Sequence, residues 1–144
     1  MFSVSELAWA AGLFEGEGTV RINALSKRNT GALIVSVVNC DEQIVAFFAE
    51  RFGGRVKPAT GLHGNRRPAW VWTCAARVAA RFLRQIEPHL RTDRNKKRAR
   101  AGILFQEGKV HRSKQGPGYV QEQWEAFMWL KHLNQRGLGP TREQ

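Results

Sequence analysis

The sequence has few of the residues that indicate disulfide, zinc or membrane chemistry. Its two cysteines, Cys40 and Cys74, lie far apart in a chain of 144 residues. This spacing gives neither a disulfide framework nor a zinc-ligand pattern, and it favours a reducing, intracellular setting. No apolar run approaches the roughly 20 residues that a membrane-spanning helix needs. The first residues lack the basic segment of a signal peptide, so we expect a soluble protein of the cytoplasm, nucleoid or an organelle, without a membrane partner.

Several catalytic patterns and acidic residues are also scarce. The four histidines are scattered, and the chain contains neither a phosphate-binding P-loop nor a nucleophile elbow. Only 12 Asp and Glu stand against 23 Lys and Arg, which gives a net charge of +11. This excess favours a polyanionic partner, because each phosphate that a protein neutralises releases condensed counterions. The alternative is a basic but otherwise ordinary domain.

The chain length and its 42% hydrophobic residues fit one folded domain with a modest core. The polar and apolar pattern predicts helix, hairpin, helix, hairpin, helix, an α+β arrangement with the helices on one face of an antiparallel sheet. We expect these elements at residues 5–14, 19–27, 32–40, 41–52, 55–60, 69–74 and 75–87, and further helices at 96–108 and 120–136. Residues 1–108 then form a core, and residues 109–144 form a C-terminal loop, an amphipathic helix and a tail of the same domain.

One stretch, residues 7–18, joins a helix of small residues to an acidic, glycine-rich turn. Four of its residues follow helical spacing and share a face with little bulk, namely Ala8, Ala11, Gly12 and Glu15. Another backbone can approach such a face closely, either that of a second copy or that of the same chain's sheet or C-terminal helix. Gly16 and Gly18 then interrupt the helix and place Glu15 and Glu17 at its end.

Residues 10–18 resemble the LAGLIDADG motif of homing endonucleases. Four positions agree with the motif, Ala11, Gly12, Leu13 and Gly18, while Gly16 replaces its second alanine and both acids are Glu instead of Asp. The predicted order of elements over residues 5–105 is similar to the αββαββα core of that family. The resemblance implies a divalent-metal-dependent, site-specific DNA endonuclease of the kind carried by mobile introns or inteins. With one motif and no internal repeat, the chain would act as a homodimer on a long, roughly palindromic site.

Three other interpretations stay open: a DNA-binding protein of this fold that does not cleave, a maturase-like protein that binds intron RNA, and a purely structural basic domain. By resemblance, Glu17 binds Mg²⁺ or Mn²⁺, and the backbone carbonyl of Gly16 helps. Asn39 either orders catalytic water or is an ordinary turn residue. The resemblance also implies a catalytic lysine in the basic cluster after residue 90, where we favour Lys97 over Lys96; the alternative is that this cluster only binds phosphate. The dimer interface would contain Ala8, Ala11, Gly12 and Glu15.

A curved antiparallel sheet can enter the major groove and contact base edges with its exposed side chains. The alternation predicts six strand residues for this role: Thr19, Arg21, Asn23, Ser36, Arg55 and Lys57. Arg28, Arg66 and Arg67 lie in the adjoining loops, and Lys96 and Arg98 are candidates for phosphate contacts. A solvated sheet face is the alternative. Trp70 and Trp72 lie on one face of their strand, and Val71 and Thr73 lie on the other. We expect the tryptophans in the core.

Overall fold

The structure, a computed structural model, describes residues 1–25, 30–59, 67–108 and 121–135. Its helices are α1 (Val4–Glu17), α2 (Glu42–Phe52), α3 (Ala76–Ile86), α4 (Asp93–Glu107) and α5 (Gln121–Leu133), with a 3₁₀ turn at Glu87–His89. Its strands are β1 (Gly18–Leu25), β2 (Thr30–Asn39), β3 (Arg55–Pro58) and β4 (Trp70–Ala75). The predicted α+β class is confirmed. None of the helices in the described ranges is long and apolar enough to cross a membrane.

Helix α1 begins at a capping box and ends one turn later than the sequence suggested. Ser3 accepts a hydrogen bond from the backbone N–H of Glu6, and the Glu6 side chain accepts one from the N–H of Ser3. Gly16 lies inside the last turn, and Gly18 is the residue that ends the helix. A Cβ on Gly18 would lie 2.2 Å from the Phe14 ring, so only glycine fits there without movement of that ring.

The four strands form one antiparallel sheet in the order β1-β2-β4-β3. Alternate residues face the helices and form the core, in which Trp72 is fully buried and Trp70 is partly buried. The expectation that both tryptophans pack in the core is therefore confirmed. The Trp72 ring lies 5.0 Å from each of the rings of Phe48 and Phe82, which come from α2 and α3. This aromatic cluster joins the helices to the centre of the sheet.

Helix α4 begins three residues before its expected start. Thr92 caps it by accepting a hydrogen bond from the N–H of Asn95. The helix packs closely on the sheet, because a Cβ on Gly102 would lie only 2.9–3.1 Å from side chains of α3, β2 and β1. Helix α5 packs on α4 through Gln123, Ala126 and Leu130, whereas Met128 is 45% exposed.

Candidate nucleic-acid interface and metal site

The sheet face away from the helices carries a continuous row of polar side chains, one from each strand. Thr19 pairs with Ser36, Ser36 pairs with Thr73, and Thr73 pairs with Arg55. The six strand residues that the alternation selected share this face. The central Thr73 was missing from that selection, although its alternation with the two tryptophans places it opposite the core.

This face is a basic trough. Its rims are the edge strands, where Arg21 on β1 and Arg55 and Lys57 on β3 are exposed. Its floor is formed by side chains of β2 and β4, in which the hydroxyls of Ser36 and Thr73 lie beside the apolar Ile34 and Val71. The rims are three strand spacings of about 4.8 Å apart. The groove has a volume of about 600 Å³. The basic side chains at both rims can contact phosphates, and the arginines and the hydroxyl groups on the floor can also form hydrogen bonds with base edges, so the trough is suited to a nucleic acid.

The loop candidates fall partly outside the described residues, since Arg28 and Arg66 are not among them. Arg67 is described and exposed, three residues before β4. Lys96 and Lys97 are exposed on the first two turns of α4.

Arg98 is not on the protein surface, where a phosphate contact would require it. Its exposed fraction is only 8%. Its guanidinium donates to the side-chain oxygens of Asn95 and Asn134, each at 2.8 Å. Burial lowers the pKa of Arg98, and the neighbouring charge of Arg94 lowers it further. We therefore leave Arg98 out of the DNA contacts proposed below.

The two acids at the end of α1 differ in their surroundings. Glu17 is the last residue of the helix and is exposed, and no described residue forms a hydrogen bond or ion pair with its carboxylate. Gly16 is also exposed, and a Cβ there would have nothing within 4 Å. The Glu17 end of the helix is therefore open on the described surface.

Glu15 instead connects α1 to the start of α4. Its carboxylate accepts hydrogen bonds from the N–H of Arg91, from the N–H and hydroxyl of Thr92, at 3.2 and 2.7 Å, and from the amide of Asn95, at 2.6 Å. Partial burial raises the pKa of Glu15, but these donors outweigh it and lower the pKa from 4.5 to about 2. Glu15 is thus a fixed anion in the protein structure, which leaves Glu17 as the open acid.

Metal binding by one chain alone would rely on Glu17. Among the residues described, no three His, Cys, Asp or Glu side chains are grouped so as to hold an ion. Mg²⁺ takes oxygen ligands, often only one or two carboxylates, and keeps several waters. An exposed carboxylate beside an open glycine backbone fits that demand, provided that further ligands come from water, from DNA or from a second copy.

Asn39 forms a turn at the end of β2. Its side-chain oxygen accepts a 2.8 Å hydrogen bond from the N–H of Asp41, and Asp41 in turn caps α2 through the N–H of Gln43. Gly18 pairs with Val37, two residues before Asn39, so Asn39 lies at the sheet end where α1 joins β1. Asn39 therefore acts as a turn residue, and it lies at the same end of the sheet as Glu17.

The face of α1 proposed for dimerisation is partly open. Ala8 and Gly12 are exposed, and a Cβ on Gly12 would meet no atom within 4 Å. Ala11 is fully buried in the core, and Glu15 is directed to α4. The small-residue surface available to a second copy thus runs through Ala8 and Gly12, and the described part of the chain does not cover Gly12.

Comparison with solved structures places this architecture among known proteins. The homing endonuclease I-CvuI in complex with its target, solved with calcium, gives a TM-score of 0.62 at 12% identity, over 90% of this chain and 80% of that chain. The fold is that of the LAGLIDADG homing endonucleases. The archaeal intron-encoded homing endonuclease I-Vdi141I, complexed with DNA, gives 0.59 at 11% identity over 90% and 96% of the two chains. The homing endonuclease I-TnaI gives 0.53 at 16% identity over 95% and 90%.

The LAGLIDADG fold is recognised here through structure and the nine-residue motif. The chain matches no protein-family model, and no curated protein matches it by sequence. At these identities the likeness establishes the fold, and the activity has to be argued from the residues themselves.

Proposed function

We propose that the protein is a homodimeric, divalent-metal-dependent, site-specific DNA endonuclease that hydrolyses phosphodiesters in a long, roughly palindromic duplex site. The observation that carries the proposal is the exposed carboxylate of Glu17, which has no hydrogen-bond or ion-pair partner among the described residues. It lies at the end of α1, directly before β1, and β1 forms one rim of the basic trough. The solved structures of this fold that contain DNA are consistent with the DNA binding in this proposal, and those solved with Ca or Mg are consistent with its use of a divalent metal.

The trough supplies DNA binding. Arg can pair bidentately with guanine and Asn with adenine, so Arg21, Asn23 and Arg55 have the chemistry to read bases. Thr19, Ser36 and Lys57 complete the contacts on the same face, with Arg67, Arg28 and Arg66 outside the strands. Exposed Lys96 contacts phosphate. The net charge of +11 adds a general attraction to the duplex.

The acid at the end of α1 supplies the metal site. A bound Mg²⁺ or Mn²⁺ would lower the pKa of water and stabilise charge on the leaving oxygen. Glu17 and the carbonyl of Gly16 would hold it, while Glu15 keeps the helix end in place through its bonds to α4. Lys97 would stabilise negative charge, and Asn39 would orient water with the amide group that its turn does not use.

The open face of α1 supplies the dimer. One copy of α1 ends in one open acid, Glu17, and cutting two strands with this architecture takes two such acids near a common axis. Ala8 and Gly12 let two copies of α1 cross closely, and a two-fold interface of this kind is self-complementary. The DNA site should therefore consist of two similar half-sites.

A plasmid library with randomised duplex inserts tests the function. Wild-type protein with Mg²⁺ should linearise a reproducible subset of the inserts, and Glu17→Gln should cleave none while binding the recovered duplex within a few-fold of wild type. Glu42→Gln is the matched control, because Glu42 is an exposed acid on α2. Cleavage by Glu17→Gln at the parental rate would remove Glu17 from the metal site. Binding without any cleavage by wild type would favour the non-cleaving protein, and preferential competition by intron RNA would favour the maturase.

A further inference from the structure

Three polar side chains are buried in the part of the chain that the structure describes: Asn95, Arg98 and Gln123. All three lie where α4 packs against α5 or α1. Gln123 donates a hydrogen bond to the carbonyl oxygen of Phe105 and so joins α5 to α4. Asn95 and Arg98 take part in something longer, a chain of hydrogen bonds that starts at Glu15 near the end of α1, passes through α4 and returns to Val20 in β1.

This polar chain has four consecutive bonds. Asn95 donates to Glu15 at 2.6 Å, and Arg98 donates to the oxygen of Asn95 at 2.8 Å. The Nε of Arg98 donates to the oxygen of Asn134 at 2.8 Å, and the amide nitrogen of Asn134 donates to the carbonyl oxygen of Val20, again at 2.8 Å. The polar chain therefore connects the acidic end of α1 with the edge strand β1 through α4 and the end of α5.

Holding two helices together with a buried guanidinium costs desolvation free energy. Its desolvation cost usually equals or exceeds the attraction it gains, and well-packed apolar residues often stabilise as well or better. What the guanidinium offers is direction, since its planar fork presents donors at fixed angles. Arg98 uses that fork to set Asn95 and Asn134 at a defined spacing, and Asn95 in turn sets Glu15.

The two ends of the polar chain lie at the functional elements. Glu15 is two residues before Glu17 in the last turn of α1, so the bonds that fix Glu15 also fix the direction in which Glu17 leaves the helix. Val20 lies between Thr19 and Arg21, whose side chains face the trough. Glu17 and Gly18 are consecutive, so the backbone sets the distance between the acid and β1, and the polar chain holds both sides of this junction, Glu15 and Val20, against α4 and Asn134.

We propose that Arg98 and Asn95 are positioning residues for cleavage: they hold the α1–β1 junction, and with it the direction of Glu17, against α4, and they make Asn134 at the end of α5 part of the catalytic architecture. This inference rests on the proposed role of Glu17. Neither residue touches DNA or metal in this assignment, and both act through Glu15 and Asn134. Loss of the fork should therefore lower the cleavage rate far more than it lowers DNA affinity, because a small misplacement of a reacting group is costly.

The test compares Arg98→Met with Gln123→Met, since each removes a buried polar side chain and a hydrogen bond between α4 and residues 121–134, but Arg98 also bonds to Asn95, which holds Glu15. The substrate is the duplex recovered from the plasmid library. Three quantities are measured for each protein: the single-turnover cleavage rate, the Mg²⁺ concentration that gives half the maximal rate, and the dissociation constant for DNA. Thermal unfolding is recorded in parallel to match the two variants in stability.

We expect Arg98→Met to lower the rate about tenfold or more and to raise the Mg²⁺ requirement, with DNA affinity within a few-fold of wild type. Gln123→Met should lose stability and keep both kinetic values. If Arg98→Met does not fold, Arg98→Lys keeps the buried charge without the fork, and it should show the same separation of rate from affinity. This inference alone would be overturned if the Arg98 and Gln123 variants had the same cleavage rate and the same Mg²⁺ requirement, while wild type cleaved and Glu17→Gln did not. Unimpaired cleavage by Glu17→Gln would instead overturn the proposed function.

Discussion

The ring of Phe14 occupies the space into which a side chain at Gly18 would extend, with a ring carbon 2.2 Å from the Cβ position. Phe14 is fully buried and its ring lies 5.7 Å from that of Phe82, so a shift of the Phe14 ring would disturb the packing of the core. The glycine that ends the motif is therefore required by packing inside the monomer. Gly16, two residues earlier, has open space around its Cβ position.

This difference predicts opposite effects on stability for two similar substitutions. Gly18→Ala should lower the free energy of unfolding by about 1–3 kcal/mol, because it overpacks the core against Phe14. Gly16→Ala should raise it by as much as about 0.5–1 kcal/mol, since alanine is favoured over glycine within a helix. Urea unfolding of the three proteins measures both. A Gly18→Ala protein as stable as wild type would mean that the Phe14 ring can move aside.

The dimer proposal predicts the behaviour of Gly12→Leu. Because no described atom lies within 4 Å of a Cβ at Gly12, the variant should keep its circular dichroism spectrum and its folded state. Added bulk where two copies of α1 cross should make it sediment as a monomer at micromolar concentration and lose cleavage. Ala46→Leu adds similar bulk at an exposed position of α2 and is the control. Wild-type protein that remains a monomer with DNA bound would exclude the dimer from the mechanism.

The environment of Glu15 predicts an acid dependence of stability. Its pKa is lowered from 4.5 to about 2, so the folded state binds its proton less readily than the unfolded state does. The resulting stabilisation is complete above the unfolded pKa and is lost as the pH falls from about 4.5 towards about 2. Wild type should therefore lose more stability over this range than Glu15→Gln. The measurement is urea unfolding at a series of pH values, and a pH-independent difference between the two proteins would contradict the assignment.

Much of this architecture could be predicted because its signals are local. The alternation around Trp72 and Thr73 defines two sheet faces, and α2 ends at residue 52, its expected end, before a glycine pair at residues 53 and 54. Both glycines have positive φ, 84° and 97°, which side chains rarely adopt. The outward trough residues followed from the same two-residue period.

The interior of the site was less predictable, because its contacts join residues far apart in the sequence. Glu15 bonds to Thr92, 77 positions later, and no local pattern encodes that distance. Arg98 was expected on the surface, as arginine usually is. The packing of α5 on α4 covers it, and Asn134 just after α5 accepts its hydrogen bond.

From the position of the trough we predict that replacing two exposed basic residues, Arg21 and Lys96, changes DNA binding in different ways. Arg21 lies on the rim of the sheet face, so Arg21→Ala should relax base preference at a few positions and cost about 1–3 kcal/mol at the affected base pair. Lys96 lies on α4, and Lys96→Ala should weaken all sequences alike and reduce the salt slope of binding by about one. Selection of bound duplexes from a randomised pool, repeated over a salt series, measures both effects. Equal and sequence-blind losses in the two variants would show that β1 contacts phosphate only, because a side chain that reads a base edge must change the preferred sequence when it is removed.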